Sequence, residues 1–527
     1  MCGFGVRSTH APAERCISKI CLAADMTLSV RTSSVEGEST ERITTIDDMK
    51  CNYSMVKAAD SCSNTTAVGP GKHAIVNDTC DNQMNNNNYK KARTNGISNG
   101  HTMLHKRNGF SLTPTQQIDY NRYMKEHPNA KLIGIDGNWY DITNFIPYHP
   151  GGDLIEHFIG KDSTPVFKAF HGEDVLKHRK PVGQYIQCSS DPAAEAFANL
   201  HLFFINNGFF KTSLSWYLKK VMVTVLLFGL TWYLVTCHTQ WYMHFLASFT
   251  IAAFWQQCGF FMHDFMHNQG FHNRKIDRWL GLFFGTTCLG VNGHWWRDEH
   301  YVHHALTNTV DYGQQFFDPQ MREPIWAQNE KLFPFYSSNI EELCIRIQHI
   351  TFIPICVIVG RIGIMLDGFK TERRWYEWFA FMLHWSWMSL LFSFLPTWRR
   401  VIIFYSLASI FQGILHVQLL ISHYCKDFFQ KENICVEKNW YRMQIECNIN
   451  IKNPKWLDWF HGGLNFHIEH HLYPLMPRHK YREASIHIRK TCKDLGIHYD
   501  ECGWFEAIKR TLMHLKKMST HFKLDPR

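Results

Sequence analysis

The sequence predicts an α-helical integral membrane protein of about four transmembrane helices. A helical cap on their cytosolic side carries an array of histidines, a small α+β domain precedes them, and a disordered tail comes first. Three observations predict this architecture. Four largely apolar stretches, each roughly the twenty residues that a bilayer span requires, fall into two pairs. Histidines recur at helical spacing in three pieces that follow those pairs. A compact polar segment at 110–190 shows strand-like runs broken by turn residues.

The chain has 527 residues, 45% hydrophobic and 15% aromatic, enough for more than one domain. Its mean hydropathy of −0.26 averages over strongly divided parts. The net charge of +9 comes from basic residues scattered beside apolar segments, which points to a membrane surface and excludes nucleic acid as a partner. The 17 cysteines form no CxxC pairs or regular framework and read as reduced thiols facing the cytosol or bilayer.

Residues 1–108 are rich in Ser, Thr, Asn and Asp, include the run Asn85 to Asn88, and have no apolar periodicity. Such a segment cannot bury enough surface to offset its ordering entropy, so disorder is expected. No charged stretch followed by an apolar run opens it, which argues against a cleaved signal peptide. The sequons at Asn52, Asn64 and Asn77 then lie on the cytosolic side and carry no glycan.

The soluble domain spans 109–190. Ala130 to Ile135 is strand-like, Asp136-Gly137 is a turn signal, and Asn138-Trp139-Tyr140-Asp141-Ile142 resumes the pattern, so a hairpin is expected. In Tyr148-His149-Pro150-Gly151-Gly152 the proline and two glycines tighten the turn and leave the imidazole free to project. His171 follows in Val166-Phe167-Lys168-Ala169-Phe170-His171. With Asp162-Ser163-Thr164 and Phe167, this segment resembles the cytochrome b5 domain, and the resemblance implies haem b held axially by His149 and His171. With both axial positions filled by protein, such a haem is left one-electron transfer. His157 and His178 lack these contexts and read as surface residues.

A linker at 191–213 leads to the membrane part, 214–495, with a tail at 496–527. Apolar runs at 218–236 and 242–261 are joined by a short link and form one hairpin; 378–395 and 401–422, split by Pro396-Thr397-Trp398-Arg399-Arg400, form another. The run at 280–289 is too short to span, and 350–365 contains Pro354 and Arg361, so both are expected at the interface. With two hairpins, every histidine piece lies on one side of the membrane, the side of the b5-like domain.

Those pieces are His263-Asp264-Phe265-Met266-His267, His300-Tyr301-Val302-His303-His304 and His467-Ile468-Glu469-His470-His471. Spacings of three and four put each set on one helical face. Singly, such a pair is more often exposed and polar than a metal site. Three copies ordered around apolar segments are a metal array. His423, at the exit of the fourth apolar run, is either a further ligand or an interfacial histidine. Imidazoles without cysteine suit iron better than structural zinc, and eight or nine are too many for one ion.

With Trp295-Trp296, Gly462-Gly463-Leu464-Asn465-Phe466, Leu472-Tyr473-Pro474 and Pro477-Arg478-His479, the region 215–490 resembles the membrane fatty acid desaturases. The fused b5-like domain matches their front-end branch. One residue departs: that branch usually begins its third box with glutamine, and here stands His467, which leaves iron binding intact and makes regiochemistry less transferable. The resemblance implies two irons at His263, His267, His300, His303, His304, His467, His470 and His471, dioxygen as co-substrate, and a long-chain acyl substrate taken from the bilayer. It also implies electrons from NADH through cytochrome b5 reductase, and a multi-pass location in the endoplasmic reticulum; no retrieval signal at Leu524-Asp525-Pro526-Arg527 fixes the organelle.

Several roles stay open in the sequence. Asp264 and Glu469 either orient ligand imidazoles or face solvent. Trp255, Phe260, Phe261, Phe283, Phe284 and Trp459 either line an acyl channel or pack and anchor helices. Lys480 and Arg482 either meet a phosphate-bearing head group or are solvated charges. A sphingolipid desaturase, a lipid hydroxylase and a non-catalytic membrane haem protein are the alternative functions.

Overall fold

The computed structural model describes residues 120–184, 191–313, 316–321, 323, 325–370, 373–430 and 439–523. The expected disordered extension, its sequons and 524–527 lie outside them. The b5-like domain begins with α1 (Tyr120–Glu126), followed by β1 (Leu132–Ile135) and β2 (Asn138–Asp141) in an antiparallel hairpin. Asp136 and Gly137 both have positive φ, 49° and 78°, the two-residue turn whose twist matches the strands. After α2 (Thr164–Phe170), β3 (Gly183–Gln184) adds to β2, for a sheet order β1-β2-β3.

The expected linker is a packed helix. In α3 (Pro192–Asn206), the Asp191 carboxylate accepts from the Ala193 amide at 2.8 Å, proline stands in the first turn, and Phe197 and Phe204 on one face are buried. They join one apolar core with Ile133, Ile135, Trp440, Ile468 and Tyr473, so the b5-like domain and the histidine scaffold share an interior.

Then follow α4 (Leu214–Thr236), α5 (Trp241–Met266), α6 (Arg274–Leu282), a π-helical turn at Phe283–Leu289, and α7 (Gly293–Ala305). Next are α8 (Asn339–Ile358), α9 (Gly360–Asp367), α10 (Trp375–Ser393) and α11 (Trp398–Ile421). The last third has α12 (Trp440–Glu446), α13 (Asp458–His461), α14 (His467–Leu472), α15 (Tyr481–Asp494) and α16 (Trp504–His521). Small sheets tie the loops together. β4 (Thr309–Asp311) pairs antiparallel with β5 (Phe316–Phe317) and parallel with β6 (Phe429–Gln430), and β7 (Asn450–Lys452) pairs parallel with β8 (Glu501–Gly503). The expected C-terminal tail is therefore mostly ordered. α16 packs along α8, where Gln348 Nε2 donates to the Leu515 carbonyl at 3.0 Å.

Among the described residues, α4, α5 and α11 are long and apolar enough to cross a membrane. The count becomes four if α8 and α9, bent by 71°, form one broken span. This differs from the sequence expectation twice. α10 falls short because Trp375, Trp378, Trp385, Trp387, Glu377 and His384 dilute its aliphatic content. The 350–365 run, expected at the interface because of Arg361, belongs to the apolar pair. That guanidinium is buried, stacks 3.7 Å from the Trp255 ring centre, and donates to the Leu289 carbonyl at 2.7 Å, so its charge does not reach water.

Candidate metal and haem centre

His263 and His267 end α5, His300, His303 and His304 lie on α7, and His467, His470 and His471 lie on α14. His423 follows α11 by two residues. The caps hold these segments in place: Asn292 accepts from the His294 and Trp295 amides to start α7, and its own amide donates to Glu377 of α10 at 2.9 Å. Gly462, φ +59°, must be glycine for another reason, since a Cβ there would lie 2.3 Å from the Phe260 ring.

All nine histidines come together. Ligand nitrogens of His263, His267, His300 and His470 lie within 4.8 Å of one another, as do those of His303, His423 and His471. Two neighbours adjoin these sets: His304 Nε2 is 3.0 Å from His300 Nε2, and His467 Nε2 is 2.8 Å from His423 Nε2. None of the nine is more than 7% exposed, so water does not compete for them. Four of the outer nitrogens are engaged. Nδ1 of His303 donates to Asp318 at 2.7 Å, that of His300 to Gln320 at 2.8 Å, that of His471 to Gln444 at 3.0 Å, and that of His423 to the Cys447 carbonyl at 3.1 Å. A proton fixed outward leaves Nε2 as an inward lone pair, the arrangement of a metal-bound imidazole. Both nitrogens of His267, and Nε2 of His471, have no hydrogen-bond partner although buried. Burial, followed by repulsion from neighbouring imidazoles, holds His300, His304, His423, His470 and His471 well below the ordinary histidine range, and His467 is pushed to about 3. The nine residues thus fit a pair of metal ions.

His149 and His171 face each other with ring centres 6.2 Å apart. That is the spacing of two imidazoles with a metal between them at bonds of about 2 Å. Their Nδ1 atoms bond the Gly152 and Phe167 carbonyls at 3.0 and 3.1 Å, leaving Nε2 free. A Cβ on Gly151 would sit 2.8 Å from His149 Cε1, and Gly152 has φ +62°, which explains both glycines. The rings open on a cavity of about 260 Å³ walled by Ile133, Ile142, Leu154, Val166 and Phe170. An apolar slot with two facing imidazoles fits haem. Burial lowers the pKa of both imidazoles, that of His171 to about 4, with Arg274 adding to each shift.

The two centres adjoin. His267 of the first metal cluster also lines the haem cavity, and Phe170, next to His171, has its ring 5.6 Å from Tyr301 and 6.4 Å from His304.

The family model for fatty acid desaturases matches residues 239–503, and that for cytochrome b5-like haem/steroid-binding domains matches 121–187. The chain belongs to the fatty acid desaturase family. It is 28% identical to a Delta(8)-fatty-acid desaturase of Helianthus annuus, over 77% of this chain and 92% of that protein. It is 26% identical to an acyl-lipid (9-3)-desaturase of Borago officinalis, over 75% and 91%. To a Delta(6)-fatty-acid desaturase of Caenorhabditis elegans it is 25% identical, over 74% and 96%. The protein is an oxidoreductase of the front-end desaturase group, carrying its own b5-like domain.

Several open roles in the desaturase resolve. Asp264 does not face solvent: it accepts from Tyr217 Oη at 3.0 Å, pairs with Arg478 Nε at 2.8 Å, and its Oδ1 lies 3.6 Å from His263 Nδ1. Glu469 is likewise buried, accepting from Asn450 at 2.7 Å and Tyr499 at 2.8 Å. Arg482 is paired with Asp458 and Lys480 with Glu483. Trp255, Phe260 and Phe261 are buried in packing clusters, whereas Phe283 is exposed, Phe284 half-buried against α5, and Trp459 lines a second cavity beside Arg478. His157, read as a surface residue, packs its ring 4.5 Å from Phe316 across the domain boundary. The partners of the ligand imidazoles, Asp318, Gln320 and Gln444, were not read from the sequence, where isolated polar residues carry no spacing signal.

Proposed function

We propose that this desaturase introduces a double bond into a long-chain acyl group, as acyl-lipid or acyl-CoA, by the front-end route. His263, His267, His300, His303, His304, His423, His467, His470 and His471 would hold two irons, and His149 and His171 would hold haem b. Irons bound there supply dioxygen activation: one O2, two hydrogens from adjacent methylenes, two electrons and two protons give the alkene and two waters. The observation that carries this reading is His267, which belongs to the first cluster and also lines the haem cavity.

The protein's own residues make the site ready. Burial keeps His300, His304, His423, His467, His470 and His471 neutral at pH 7, so these offer lone pairs without first losing protons. Asp318, Gln320 and Gln444 fix their orientation, and Trp296, stacked 4.0 Å from His300, closes one side against water. The covalent link between the domains keeps the haem at high effective concentration, so two single-electron deliveries need no encounter in solution.

The reading also sets topology. His267 follows α5 and His423 follows α11, yet they meet at one centre, so α11 starts on the opposite face and the chain crosses an odd number of times between His267 and the start of α11. Either α10 or the bent α8–α9 pair crosses, and not both. Both sites then face the cytosol at the endoplasmic reticulum, where electrons come from NADH through cytochrome b5 reductase.

The test is the lipid profile of cells lacking polyunsaturated acids, expressing the full chain and fed candidate long-chain acids. The expected product lacks two hydrogens and is absent with His303→Ala. A product gaining one oxygen instead would make the protein a hydroxylase. A new product undiminished by His303→Ala would detach the histidine array from the reaction.

A further inference from the structure

The haem cavity is not closed by the b5-like domain alone. Its lining includes Arg179 and Lys180 of that domain and Arg274 and Arg278 of α6, which belongs to the desaturase part. Arg274 and Arg278 stand four residues apart, on one face of α6. Neither has a carboxylate within ion-pair distance among the described residues. The acid whose charge reaches Arg278, Asp298, is taken by Arg297 at 2.9 Å, and the only acid of α6, Asp277, is buried and accepts the amides of Phe271 and Asn273. Arg274 lies close enough to both axial histidines for its charge to depress each of them.

Four cations share this slot with one carboxylate, Asp141, whose Oδ1 already accepts from the Thr143 amide and hydroxyl, so the excess positive charge calls for anions from the ligand. Haem supplies them in the right number, because its apolar macrocycle carries two propionate carboxylates on one edge. Arginine's planar fork suits carboxylates, and two arginines on one helix face match two adjacent propionates.

We propose that Arg274 and Arg278 of the desaturase domain bind the haem propionates, so that the cofactor is a ligand of both domains and clamps them together. This rests on the reading that His149 and His171 hold haem. It assigns α6 a role separate from the metal ligands. Haem binding and domain docking become reciprocal: whatever weakens one weakens the other.

The test uses the purified full-length chain in lipid nanodiscs, measuring the rate of haem transfer to excess apomyoglobin and the haem midpoint potential. Arg274→Gln/Arg278→Gln is expected to lose haem at least tenfold faster and to have a lower potential, since an unpaired propionate favours ferric iron. Arg274→Lys/Arg278→Lys, which keeps the charge, is expected to stay near wild type. Lys275→Gln, on the same helix and outside the cavity, is expected to change neither quantity. Wild-type protein reconstituted with haem dimethyl ester, which lacks the carboxylates, is expected to show the same faster loss, and it does so without depending on a variant that folds. Unchanged loss and potential in the double Gln variant would overturn the proposal, as would ester haem held as tightly as haem or an equal effect of Lys275→Gln. If the wild-type chain shows no bis-histidine haem spectrum, the haem reading itself fails and the proposal falls with it.

Discussion

Asp318 does more than any other single carboxylate near the metal clusters. It accepts from His303 Nδ1 at 2.7 Å, from the Asn308 amide at 2.9 Å and from the Gln320 amide at 3.0 Å, joining one ligand to the backbone that carries another ligand's partner. Outer partners of metal-bound histidines are worth roughly 10–100-fold in metal affinity. Asp318→Ala is therefore expected to lower non-haem metal content by that order, read by elemental analysis, while the haem spectrum stays. Gly151→Ala should reduce haem occupancy, because its Cβ would meet His149 at 2.8 Å. pH acts through His171 as well. His171 has a folded pKa lowered to about 4, so the unfolded chain takes up protons first; the stability it contributes is present above about 6.5 and is lost as pH falls from there through 4. The thermal stability of the haem-free chain should fall across that window. Eight of the nine histidines were legible from spacing, and His423, outside the three pieces, was left between a ligand and an interfacial residue. Asp318 and Gln444 were not, lying 15 and 27 positions from the imidazoles they hold.

Helices are locked to each other by a polar knot at the ends of α4 and α5. Asp264 of α5 receives the Tyr217 hydroxyl from α4 and the Arg478 guanidinium that follows α14, all three buried. Breaking one partner of a buried pair costs about 3–5 kcal/mol, because the remaining charge is left unmatched. Arg478→Met should lower the thermal inactivation midpoint accordingly, whereas Lys480→Met, beside an exposed pair, should leave it nearly unchanged. The spans α4, α5 and α11 were readable because an unbroken apolar run is a one-dimensional signal. The roles of α10 and of α8–α9 were not, since tryptophans dilute the first and the second hides Arg361 against Trp255 and a carbonyl. The helical state of 192–206 and 504–521 was missed because their apolar faces are short and find partners far along the chain, such as Phe197 against Tyr441.

At the scale of the whole molecule, the b5-like domain sits against the histidine clusters. Phe170 bridges them, adjacent in sequence to His171 and in ring contact with Tyr301 and His304. Phe170→Leu is expected to keep the haem spectrum and slow haem re-oxidation severalfold when the reduced chain meets dioxygen and substrate. Both modules could be recognised in the sequence, the hairpin and HPGG turn for one and the three boxes for the other. Their docking could not, because it rests on contacts between residues more than a hundred positions apart, including His157 with Phe316 and the shared core of Ile133, Ile468 and Tyr473. The most direct measurement of the central claim is the ratio of non-haem iron to haem in the purified full-length chain. Two non-haem irons per haem, falling in His303→Ala while haem is retained, is the predicted result. A single ion, zinc in place of iron, or a ratio indifferent to His303 would contradict the account.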